Sequence, residues 1–229
     1  MAEAASASGL VVMEAFHYRY HPMAARLAEI MGSGELGRVR SIETSMCFPL
    51  PMFGDIRYSY PLGGGALMDG GCYALHCLRL LGLGEGTPEV VGARATLRSP
   101  DIDRAMSAEL RFPSGADGRI TASMWSRRLL SFNARVHGEK GELRVTNYLA
   151  PHLYNRITVR TGSGTRRERV HGGHTYSYQL RAVTDAVLHG GPVLTPPEDA
   201  VVTMGLIDDI YRAAGLRPRG GTAEEGPLA

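Results

Sequence analysis

The apolar positions of this chain change their period near residue 82. Before that point they recur at helical spacing over 21–31 and 66–81, with a strand-like run over 39–48 between them. Pro22 falls in the first turn of the earlier helix, where its missing N–H costs nothing. Beyond Gly82 the pattern becomes a series of short strands over 89–97, 105–112, 119–126, 132–137, 142–146 and 156–160. Turn residues punctuate them, notably Pro113-Ser114-Gly115 and Gly138-Glu139-Lys140-Gly141. Helical spacing returns over 175–189 and 198–214, the second entered through Pro196-Pro197. No repeat of 20–50 residues interrupts this order. The pattern predicts an α+β fold with a large, mostly antiparallel open sheet and helices on one face.

The first residues fit that scheme differently. Residues 2–8 read as the end of a helix, Gly9 as its C-terminal punctuation, and 10–15 as a short buried strand. A helix end feeding an apolar strand reads as the last piece of an alternating α/β unit. At the other end, Gly, Pro and acidic residues predict a flexible tail over 216–229.

Composition narrows the function classes. The 229 residues suffice for a sizeable core, and 25 basic against 23 acidic residues leave a net charge of +2 without a polybasic run. Neither nucleic acid nor a membrane surface is an expected partner, and a small molecule is. No run approaches membrane-spanning length. Cys47, Cys72 and Cys77 form no disulfide framework, which points to a reducing cytoplasm. Lys140 is the single lysine, so a lysine acid or base must be that residue or come from elsewhere.

The chemistry concentrates in Gly63-Gly64-Gly65-Ala66-Leu67-Met68-Asp69-Gly70-Gly71-Cys72-Tyr73-Ala74-Leu75-His76. On a regular helix Asp69, Tyr73 and His76 share one stripe. A phenol can donate a proton to a developing alkoxide, but serving as a base near neutrality requires a nearby cation or a hydrogen-bond donor to its oxygen. Asp69 either orients Tyr73 or caps the helix that follows the glycines. His76 reads as a bonded, half-buried histidine or as a substrate contact. Cys72, His76 and Cys77 do not complete a zinc set, because no second Cys/His cluster has the spacing; no metal is expected.

Other candidates lie in loops. Tyr18 and Arg19 follow the first apolar run, where Arg19 could face a cofactor phosphate or carboxamide or pair with a surface acid. The long loop over 49–65 carries Arg57 and Tyr58. His174, Tyr176 and Tyr178 precede or open the penultimate helix, and with Arg57 and Tyr58 they suit a hydroxylated substrate.

The run from Val12 to Pro22 (Val-Met-Glu-Ala-Phe-His-Tyr-Arg-Tyr-His-Pro), the glycine-rich segment ending in Asp69 and Tyr73, the Gly138–Gly141 turn and the terminal helices together resemble the C-terminal part of the glucose-fructose oxidoreductase and inositol dehydrogenase (Gfo/Idh/MocA) family. The resemblance implies residues 1–16 as a remnant of an N-terminal dinucleotide-binding Rossmann domain. It implies residues 17–215 as a substrate-binding and dimerisation domain. It also implies NAD or NADP as cofactor, a sugar-like or cyclic alcohol as substrate, and a homodimer through the open sheet face. Tyr73 would be the acid/base, as in the tyrosine branch that includes sugar and dihydrodiol dehydrogenases.

Two features depart from the family pattern. The family's Glu-Lys-Pro motif falls just before the first residue, and Lys140 sits in a hairpin turn. The glycines at 63–65 follow a loop, not a strand, so they do not form a dinucleotide fingerprint. The chain alone is therefore expected to be a poor catalyst, with a noncatalytic ligand-binding or dimerisation module as the competing reading. A start codon at Met1 inside a longer gene would explain the same departures.

Overall fold

The computed structural model describes residues 2–52 and 54–220. It contains an eight-stranded sheet in the order β2-β3-β4-β1-β5-β6-β7-β8. The strands are β1 (Val39–Cys47), β2 (Glu89–Ser99), β3 (Ile102–Arg111), β4 (Asp117–Ser123), β5 (Ser131–Gly138), β6 (Gly141–Thr146), β7 (Arg156–Thr161) and β8 (Gly164–Glu168). Every neighbouring pair is antiparallel except β1 with β4, which run parallel with Thr44 opposite Ile120. Five helices accompany the sheet: α1 (Ala2–Ser8), α2 (Pro22–Gly32), α3 (Cys72–Leu81), α4 (Thr175–His189) and α5 (Pro197–Ala213).

Period-two alternation sorts the sheet into two faces. Ile42, Ile120, Ala108, Val136 and Leu143 are buried on one face, where α3 crosses the central strands and Thr44 Oγ1 donates to the Ala74 carbonyl at 2.8 Å. Glu43, Glu109, Arg119 and Arg144 stand exposed on the other. That uncovered face is polar, with Arg119 on Glu109 and with Arg135 and Arg144 on Glu142.

The expected strand over 10–15 does not form. Leu10 is 72% exposed and Val11 37%, and the segment is tied mainly by Glu14 N–H donating to the Thr195 carbonyl at 2.8 Å. Apolar residues become a strand only beside a second strand, and among the described residues none lies there. Conversely β8 was not expected. Its sequence Gly-Thr-Arg-Arg-Glu has no apolar alternation, and it holds the sheet edge through its ladder to β7 and through Glu168 on Arg26.

The tail does not fray at its start. Leu216 is buried, Arg217 pairs with Asp101 at 2.7 Å, and Arg219 donates to the carbonyls of Gly64 and Asp101, both at 2.7 Å. Residues 221–229 of the expected tail lie outside the described residues. No helix among the described residues is long and apolar enough to cross a membrane.

Candidate active site

The glycine-rich run enters its helix through an irregular turn. Leu67–Gly71 form a single π turn before α3 begins at Cys72, a local widening that recurs where helices carry functional groups. Gly70 and Gly71 permit it. A Cβ at Gly70 would stand 3.0 Å from Phe48 Cε1, and one at Gly71 would stand 2.8 Å from Leu67 Cδ1. The helix start is capped by Asp103 of β3, whose Oδ2 accepts from Leu67 N–H at 2.8 Å, so Asp69 is not the cap. Asp69 instead accepts from Arg57 Nε at 2.9 Å, while the same guanidinium pairs with Asp55. Burial still wins over Arg57 and raises the Asp69 pKa.

Tyr73 is half-buried, in edge contact with Phe16 at 5.1 Å between ring centroids and tilted against His17 at 5.8 Å and Tyr18 at 6.3 Å. Burial pushes its pKa upward, and Cys72, Tyr176, Asp69 and Glu14 add to the shift. The phenol therefore holds its proton throughout the neutral range. Cys72 behind it is likewise pushed up to about 12, by burial first and Asp69 second.

His76 turns away from the phenol into a buried relay. Phe16 stacks on its ring at 4.2 Å, its Nδ1 lies 2.6 Å from the Tyr18 hydroxyl, and its Nε2 stands 3.4 Å from Asp199 Oδ2. Burial opposes the Asp199 charge, but His76 and Arg79 outweigh it and hold the carboxyl at about 2. An ionised Asp199 places the imidazole proton on Nε2, so Nδ1 accepts and Tyr18 donates. Arg79 completes the chain with 2.7 Å contacts to Asp199 Oδ1 and Thr203 Oγ1. Because the folded pKa of Asp199 lies below its ordinary 3.8, this carboxylate stabilises the fold above pH 4 and ceases to do so as the pH falls toward 2. Asp199→Asn is expected to cost about 2 kcal/mol at neutral pH and far less near pH 2. Urea unfolding at both pH values checks it, and an equal cost at each would remove the ionic account.

The remaining candidates divide. Tyr18 is only 2% exposed, packed beside α3 with its hydroxyl on His76. Arg19 lines a small cavity of about 210 Å³ with His76, Arg79 and Asp199. Arg57 is committed to two carboxylates, and the Tyr58 hydroxyl donates to the Leu50 carbonyl at 2.9 Å. Tyr176 comes to the phenol, stacking on His17 at 4.2 Å, and Tyr178 lies edge-on to His21 at 5.4 Å. His174 lies against His152, the rings tilted by 33° with centroids 3.9 Å apart. Glu14, Phe16, His17 and His152 escaped the sequence reading. The aromatic run Phe16-His17-Tyr18 beside an apolar segment was the available signal for the first three. Among the described residues, no group of three or more His, Cys, Asp or Glu is placed to hold a metal ion.

Comparison with known proteins matches residues 24–144 to the GFO/IDH/MocA C-terminal domain. D-xylose 1-dehydrogenase (NADP(+)) 2 of Haloferax volcanii is 33% identical over 209 residues, covering 90% of this chain and 63% of that protein. A 3-ketoreductase from Actinomadura kijaniata, solved with NADP and TDP-benzene, superposes with a TM-score of 0.82 at 27% identity, over 94% of this chain and 65% of the other. The aldose-aldose oxidoreductase of Caulobacter crescentus, solved with glycerol, shares the fold with a TM-score of 0.82 at 24% identity, over 93% of this chain and 64% of that one. The chain thus spans less than two thirds of the length of these relatives. The open sheet, the helix carrying Asp69 and Tyr73, and the match over 24–144 together show that the chain belongs to the GFO/IDH/MocA family, in its C-terminal domain.

Proposed function

We propose that this chain is the substrate-side part of an NAD(P)-dependent oxidoreductase that moves hydride between the nicotinamide and a sugar-like or cyclic alcohol. Residues 1–16 would then close a dinucleotide-binding domain, and 17–215 would bind substrate and pair with a second copy through the uncovered sheet face. An interface on that face would be polar, built on residues such as Arg119 and Arg144.

The observation that carries the reading is the state of Tyr73: a half-buried phenol, flanked by aromatic rings, whose pKa is raised by burial first. Such a group is a proton donor rather than a base. It would hold its proton on Oη and pass it to the oxygen of a carbonyl as that oxygen gains charge, which suits reduction of a ketone or aldose. Asp69, held by Arg57, orients the approach from the glycine-rich side. The NADP named for two relatives supports a nicotinamide partner. The described residues do not fit the dinucleotide itself. Gly63–Gly65 lead into a π turn, and the helix-start N–H of Leu67, where a phosphate would bind, is already taken by the Asp103 carboxylate. The nicotinamide would supply or accept the hydride, and its binding groups would come from other residues of the same protein.

The test uses the full reading frame that contains this chain. Incubated with NADP or NAD in both redox states and with D-xylose, D-glucose and cyclic diols or their ketones, the protein is expected to interconvert reduced and oxidised nicotinamide with at least one pair. No turnover with any of them, from protein that binds the nucleotide, would leave the noncatalytic module in its place.

A further inference from the structure

Outside Tyr73 and its immediate contacts, four histidines from distant parts of the chain meet in one continuous patch. His17 stacks on Tyr176 and tilts against Tyr73, and His152 lies close enough to His17 and to His21 to disfavour charge on either. His174, exposed at the rim, lies tilted against His152 with ring centroids 3.9 Å apart. We propose that His17, His152 and His174, backed by His21, form a wall that reads the hydroxyl groups of an aldose or polyol beyond the carbon that reacts at Tyr73. This rests on the reading of Tyr73 given above.

Unfilled nitrogens carry the inference. His17 is 6% exposed and His21 1%, yet His17 Nδ1, His21 Nε2 and His152 Nδ1 have no hydrogen-bond partner among the described residues. Histidines that merely fill a core satisfy their nitrogens, and buried groups left open mark places where another molecule completes the bonding. His21 Nδ1 accepts from Met23 N–H at 3.1 Å, so its Nε2 carries the proton, and His21 backs the wall instead of meeting the ligand. The segment at Gly172 runs close over that nitrogen, leaving no room there for a side chain.

The chemistry of the missing partner follows from the state of the rings. Burial, with His152 in support, lowers the His17 pKa to about 4, and burial lowers those of His21 and His152 as well. Neutral imidazoles each offer one donor and one acceptor, which is also what each hydroxyl of a sugar offers. The lowered pKa values of His17, His21 and His152 offer an anion no imidazolium partner at these three rings. A metal ion would need nitrogens converging on a point, and among the described residues no group of three or more His, Cys, Asp or Glu is placed to hold one. Tyr176, stacked on His17 and electrostatically coupled to Tyr73, supplies an apolar face beside the polar atoms, as a pyranose or cyclitol ring requires.

The test needs neither nucleotide nor turnover. The chain, labelled with nitrogen-15, is titrated with D-xylose, D-glucose and myo-inositol, and with cyclohexanol as a ring of similar size bearing one hydroxyl. The imidazole nitrogens are followed by long-range proton–nitrogen spectra. At least one polyol is expected to shift His17 and His152 saturably while cyclohexanol does not. His17→Phe, which keeps the flat ring on Tyr176, and His152→Gln, which replaces the partly buried imidazole by an amide, should each weaken that Kd by roughly tenfold with unchanged backbone amide spectra. The wall is refuted if no polyol moves these rings, if cyclohexanol moves them equally, or if equimolar Zn²⁺ broadens them while polyols do nothing. Polyol binding here with turnover intact in Tyr73→Phe would keep the wall and remove the proton-donor reading. Silent imidazoles with turnover abolished by that substitution would do the opposite.

Discussion

Replacing Tyr73 by Phe in the full-length protein is expected to lower turnover by roughly a hundredfold to ten-thousandfold, the range that a positioned proton donor contributes. KM should change little, because the loss falls on an interaction that strengthens as charge develops. The substitution removes one oxygen and leaves the ring, so the edge contact with Phe16 and the tilted contacts with His17 and Tyr18 persist and the fold should be unharmed. The sign of the pKa shift adds a second readout. Burial moves Tyr73 above the ordinary phenol value of 10, so the proton stays on Oη across the neutral and mildly alkaline range. Carbonyl reduction should accordingly show no decline attributable to this group below about pH 10, whereas a base at this position would give a rate that rises with pH. Steady-state kinetics of both proteins from pH 6 to 10 check both points. A Tyr73→Phe enzyme that turns over normally would take the phenol out of the reaction.

Much of this site was legible because its chemistry is local in sequence. Asp69 and Tyr73 announce themselves four residues apart behind a glycine run, and the alternation from Glu89 onward fixes the sheet that carries α3. What escaped the reading depends on distant contacts. The expected strand over 10–15 was apolar enough to pair but met no neighbouring strand, and β8 paired despite a charged sequence because β7 offered it an edge. Helical spacing predicted His76 beside Tyr73. The turn of the helix keeps it on Phe16 but points its nitrogens at Tyr18 and Asp199, a partner more than a hundred residues away in the chain. The π turn itself follows from Gly70 and Gly71 lying against Phe48, Met46 and Ala122, packing that periodicity does not encode. His17, His152 and His174 are joined only by tertiary structure.

The second large effect is expected at Gly65. Its φ of 132° lies where side chains are disfavoured, and an added Cβ would run into Asp103 Oδ1 and stand 2.7 Å from Tyr211 Oη and 2.8 Å from Arg219 Nη2. None of these neighbours can retreat cheaply. Asp103 is fully buried, caps Leu67 and accepts from Tyr211 at 3.1 Å, and Arg219 is 4% exposed and bonded to Gly64 and Asp101. The strained backbone and the overpacking together should cost about 3 kcal/mol or more, lowering Tm by about 10 °C. Gly84→Ala, with no atom within 4 Å and no positive φ, is the matched control and should melt like the parent. In the full-length protein Gly65→Ala should also lose turnover, since the same node sets where the π turn begins and hence where Asp69 and Tyr73 stand. If Gly65→Ala and Gly84→Ala melt together, the buried Asp103 node does not anchor the helix that carries the phenol.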